Sequence, residues 1–91
     1  MTTTTTPANV VRTLADTAVI NRRAVQYLHP DIAPKISPDP ANDGAHLVEF
    51  VNGLDAVATE RALNAAGWTV EPGPRKWGAV VLRARAPKES R

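Results

Sequence analysis

AHLVEFVNGLDAVATERALNAAGWTVEPGPRKWGAVVLRAR occupies residues 45–85, and the fold follows from how this run is divided. AHLVEFV (45–51) has the β-branched and aromatic content of a strand. Asn52-Gly53 reads as a turn, and Asp55 as the N-cap of a helix over residues 56–66. Gly67 suits the left-handed position that closes a helix. Trp68 then falls where such an ending makes an apolar contact back onto Leu63. WTVE (68–71) is a second strand, Pro72 to Lys76 a turn, and WGAVVLRAR (77–85) a third strand running back.

Upstream, Thr6-Pro7 reads as an N-cap followed by proline at the first helical position, where its missing N–H costs nothing. Apolar residues then recur at Val11, Leu14, Ala15, Ala18, Val25 and Leu28, which predicts a helix that stops at His29-Pro30. Val10, Val19, Ile20 and Tyr27 fall off that stripe. A helix with apolar groups on several sides sits deep in a fold or meets a partner. Residues 30–44, with four prolines and a closing Asp-Gly, read as an extended loop in which Ile32 and Ile36 serve as anchors.

The predicted class is α+β, with order α-β-α-β-β and a three-stranded, mostly antiparallel sheet carrying both helices on one face. Strand order 1-3-2 is favoured, because the third strand is the longest and most apolar and belongs in the middle. Direct parallel pairing of strands 1 and 2 is the alternative. Residues 7–86 form one domain, with disordered ends expected at 1–6 and 87–91.

Bulk properties narrow the function. The chain has 91 residues, with a single Phe and a single Tyr beside its two Trp, so its core is thin and a homodimer would thicken it. Absence of cysteine removes disulfides, thiol chemistry and cysteine-based zinc sites. No apolar run approaches the roughly 18 residues that span a bilayer. MTTTTTPAN lacks the basic and apolar regions of a secretion signal, so a cytoplasmic location is expected. The net charge is +2, and its excess lies in residues 72–91, where Arg75, Lys76, Arg83, Arg85, Lys88 and Arg91 face Glu89 alone.

Strand alternation puts Val80, Leu82 and Ala84 toward the helices, with Trp77, Ala79, Val81, Arg83 and Arg85 on the outer face. Val48, Phe50, Trp68 and Val70 join the core, and Leu47, Glu49, Val51, Thr69 and Glu71 join the outer face. That face reads as a solvated sheet surface, a protein contact or a nucleic-acid platform. Carboxylates interleaved among the cations suit cross-strand pairs better than phosphate binding.

The sequence carries no recognisable catalytic constellation. His29 reads as a helix-end cap, and His46 has no partners for a metal set. Ser37 and Ser90 lack an activating histidine, and Ser37-Pro38 is a weak modification dipeptide. The glycines form no phosphate cradle, and Asp55 with Glu60 reads as helix-start chemistry. No catalytic residue, metal or cofactor is expected.

The resulting expectation is a small non-enzymatic binding or regulatory protein, of the accessory kind that phages and mobile elements encode. Its expected partner is another protein, contacted through Val19, Ile20, Tyr27, Trp77, Arg83 and Arg85, with no membrane involved. The alternative is a nucleic-acid-binding module using Arg75, Lys76, Arg83, Arg85 and Lys88.

Overall fold

A computed structural model of the chain describes residues 6–42 and 44–87. The ends expected to be disordered lie outside the described residues, except Thr6 and Pro87, and Lys88 lies outside them too. The architecture is α+β. In chain order the elements are helix α1 (Pro7–Arg23), strands β1 (Lys35–Pro38) and β2 (Ala45–Phe50), helix α2 (Gly53–Ala65), and strands β3 (Thr69–Pro72) and β4 (Val80–Arg85). All pairings in the sheet are antiparallel, in the order β1-β2-β4-β3.

The expected insertion of the last strand between the two before it is therefore present, as β2-β4-β3. Strand count and overall order differ, because a fourth strand comes from the proline-rich segment. Lys35–Pro38 pairs with residues 46–49 of β2. Proline is tolerated there because β1 is an edge strand, with one side free of ladder bonds. The other edge, β3, is equally short, and each edge strand ends on proline, Pro38 or Pro72.

α1 begins as its sequence indicates, with the Thr6 hydroxyl accepting from the Asn9 amide at 3.2 Å and Pro7 just inside the helix. It ends at Arg23, six residues before His29, where the stop is predicted. Ala24 takes the left-handed conformation at φ 57°, and the Val25 amide bonds back to the Ile20 carbonyl. This closure normally uses glycine, so the composition of the segment gave no sign of it.

α2 also starts earlier than expected. Asn52 is the cap, its Oδ1 accepting from the Leu54 amide at 2.7 Å, and Gly53 is already helical. Asp55 is released from capping for another role. The far end of α2 closes as predicted: Gly67 has φ 92°, and the Trp68 amide reaches the Leu63 carbonyl at 2.9 Å.

Both helices cover one face of the sheet. Val11, Ala15 and Val19 of α1 meet Ala56 and Leu63 of α2, Val48 and Phe50 of β2, Leu82 and Ala84 of β4, and Trp68. Burying side chains the size of Phe50 and Leu63 contributes about 1.5–3 kcal/mol each. Val19 is fully buried in this cluster, which corrects its assignment to a partner surface. Four residues after Ala15, it continues the helix stripe that the sequence reading had routed through Ala18.

Candidate functional site

The sheet has two ends of unlike character. Phe50, the last residue of β2, lies opposite Val80, the first of β4, and marks one of them. To this end the topology brings the start of α2, the turn between β3 and β4, and the close of α1. Arg22 and Arg23 from the last turn of α1 hold Asp55 in the first turn of α2, at 2.6 and 2.8 Å. Asp55 is 1% exposed. Burial pushes its carboxyl up, but hydrogen bonds from Arg23 and Arg22 outweigh that and hold it below the ordinary 3.8. The two guanidinium groups thus clamp the helices together at this end.

Large apolar side chains stand in solvent on the segments attached to this end. Among the described residues the exposed ones are Val25, Tyr27, Val51, Leu54, Val57, Trp77 and Val80. Each belongs to a segment attached to this same end: the stretch leaving α1, the β2–α2 connection and first turns of α2, or the β3–β4 turn. Trp77 is 100% exposed and Leu54 62%. Trp77 does not lie on the strand, as alternation had suggested. Lys76 and Ala79 form an isolated bridge, and Trp77-Gly78 is the turn between them, with Gly78 at φ 76°. Positive φ at the second central residue is a type II feature that glycine supplies. The turn therefore holds the indole out at its tip. Val80, expected to face the helices, begins β4 at this open margin and is partly exposed.

The outer sheet face is different. Arg83 donates from Nε to Asp39 at 2.6 Å and from Nη1 to Glu71 at 3.2 Å. Arg85 donates to Asn42 Oδ1 and lies 3.5 Å from Glu71. The pairing of both arginines with Glu71 follows from the β3–β4 register, whereas Asp39 and Asn42 come from the β1–β2 connection. Asp39 accepts from the Ala41 amide, from Arg83 and from the Asn42 side chain. The Ala41 amide and Arg83 together hold its carboxyl below the ordinary value.

Next to this network a groove of about 290 Å³ crosses the face, lined by Lys35, Ser37, Leu47, Glu49, Val81 and the 74–76 turn. Lys76 Nζ meets Glu49 Oε1 at 2.8 Å, pinning that turn over the sheet.

Of the residues expected to touch a partner, Tyr27 and Trp77 are exposed on segments attached to this end, and Ile20, in the last turn of α1, is half-buried. Val19 is in the core, and Arg83 and Arg85 are engaged on the outer face. Of the cations proposed for nucleic acid, Arg75 and Lys76 lie in the turn beside Trp77, Arg83 and Arg85 lie on β4, and Lys88 lies outside the described residues. Sequence reasoning missed Leu54 and Val57. A helix predicted to start at residue 56 left Leu54 in a turn, and the spacing of the two leucines in α2 gave no clue that only Leu63 is buried. Among the described residues no three His, Asp or Glu side chains gather as a metal-binding group, and no helix is long and apolar enough to cross a membrane. No family model, curated protein or solved structure matches this chain.

Proposed function

We propose that the chain is a small non-enzymatic binding domain whose partner is another protein, docked on the end of the sheet that carries Trp77. One observation carries the reading: among the described residues, the exposed large apolar side chains come from segments attached to that one end. Contiguous exposed apolar surface marks contact sites, and exposed tryptophan ranks among the commonest energetic anchors of protein interfaces. Trp77, Leu54, Val51 and Val80 supply the apolar centre, and Tyr27 and Arg75 the amphipathic rim.

A nucleic-acid role has less support. Arg83, Arg85 and Lys76 are engaged by carboxylates, and polyanion affinity needs several uncompensated cations.

Site-specific photo-crosslinking tests the proposal. A photoreactive side chain at position 77, and separately at 54, is expected to capture the same protein from cells, and Val80→Glu to suppress both adducts. Adducts at neither position overturn the reading. Capture of a nucleic acid transfers the surface to the alternative, and capture of a second copy assigns it to self-association.

A further inference from the structure

The groove beside the Trp77 turn carries more information than its size. Its floor is apolar, from Leu47, Val81 and Pro74. Its rim holds Lys35 on β1, and Arg75 and Lys76 on the turn, against the single carboxylate of Glu49. Glu49 is already paired to Lys76 at 2.8 Å. Lys35 and Arg75 form no ion pair and no side-chain hydrogen bond among the described residues, so two positive charges border an apolar trough without compensation.

At about 290 Å³ the space is at the lower limit of small-molecule sites, which run from about 300 to 1,000 Å³. It has room for one or two side chains and none for a dinucleotide. We propose that the groove receives an extended segment of the partner protein in which an apolar residue is followed or preceded by Asp or Glu. This rests on the protein-binding reading above and names the chemistry of the partner. The apolar side chain lies on Leu47, Val81 and Pro74, and the neighbouring carboxylate meets Arg75 and Lys35. Arginine is suited to this because its planar fork grips a carboxylate with two parallel bonds. The Glu49–Lys76 pair links the turn to β2 across the groove. A polyanion is a poor fit, because two uncompensated cations are few for polyanion affinity and the apolar lining offers phosphates nothing.

The test is selection of a random peptide library, displayed on phage, against the immobilised full chain, followed by titration of the synthetic consensus peptide using Trp77 fluorescence. The expected consensus pairs an apolar residue with an adjacent Asp or Glu. Its affinity falls with salt and drops by about tenfold in Arg75→Glu, an exposed turn position where the fold is indifferent to charge. Replacing the apolar residue of the peptide by serine abolishes binding. Failure to enrich any sequence, a basic consensus, or a peptide indifferent to Arg75→Glu overturns the inference. So does an acidic peptide that binds equally well without its apolar residue. These outcomes are separable from failure of the parent reading, because crosslinking at positions 77 and 54 reports a docked protein whatever its sequence. A captured partner together with a basic consensus sinks the groove assignment alone.

Discussion

Arg83 and Asp39 are 44 residues apart in sequence, yet the arginine Nε lies 2.6 Å from the aspartate Oδ2. This bond ties the proline-rich connection to the central strand of the sheet. Because Asp39 also accepts from the Ala41 amide and the Asn42 side chain, one carboxylate organises residues 39–42 as the chain leaves β1. The Asp39 amide in turn bonds the Ala45 carbonyl, and the Ala45 amide the Asn42 carbonyl.

Arg83→Gln is expected to loosen that bend while leaving the core intact. Hydrogen exchange at the Asp39 and Ala45 amides should accelerate by about tenfold, with little change at Val48 and Leu82. Uniform acceleration across all four amides would show that the pair stabilises the fold globally, against this expectation.

The Asp55 clamp makes stability depend on acid. Its folded carboxyl lies below the ordinary 3.8, so the stability it contributes is complete at pH values above that and is lost as pH falls through the folded value. Asp55→Asn should cost about 2 kcal/mol at neutral pH. This lies below the usual cost of breaking a buried pair, because Arg22 and Arg23 keep partial access to water. The gap between denaturant melts of the two proteins should begin to narrow only below about pH 4 and should close as pH falls through the folded value of Asp55. A gap that does not narrow at all as pH falls below about 4 would assign Asp55 a packing role instead.

Asp16 behaves in the opposite sense. Burial raises its carboxyl, only partly countered by Arg12, and its Oδ1 is buried without a hydrogen-bond partner among the described residues. A raised folded value means that stability falls as pH rises from the unfolded value of 3.8 through the folded one. Asp16→Asn should therefore raise the melting temperature at pH 7 by about 2–4 °C and flatten the profile in that window. A lower melting temperature at pH 7 would refute this.

Gly73 is set by proximity rather than by dihedral angle. A Cβ at this position would lie 2.8 Å from Val81 Cγ1 and 3.1 Å from the Val81 carbonyl oxygen, and backbone cannot move aside cheaply. Gly73→Ala should destabilise by about 1–3 kcal/mol in urea. Adding Val81→Ala should recover only part of that, since the carbonyl contact remains. Full recovery would show that the side chain alone sets the limit.

The parts of this fold that could be read from sequence are those where one residue type has one reason to be present. Gly67 followed by Trp68 announced the end of α2, and alternation along β2 and β4 sorted Val48, Phe50, Leu82 and Ala84 inward from Arg83 and Arg85. Misreadings arose where tertiary contacts overrode local preference. Ala24 adopts a glycine-like conformation while Arg22 and Arg23 are held by Asp55, so α1 ends without a sequence marker. Ile36 sits between Lys35 and Ser37 with prolines on both sides, and pairing with Val48 makes that stretch a strand. The candidate site was half legible: Trp77 and Tyr27 stood out by type, whereas Leu54 and Val57 became surface only once α2 had been placed.

The two margins of the sheet, each four residues long and each closing on an imino acid, have a bearing on how this protein can live in concentrated surroundings. A strand without a donor at its last position cannot template another copy along its full length. The molecule can therefore hold a bare indole and several aliphatic groups in water at one pole without its β-structure recruiting neighbours into fibres.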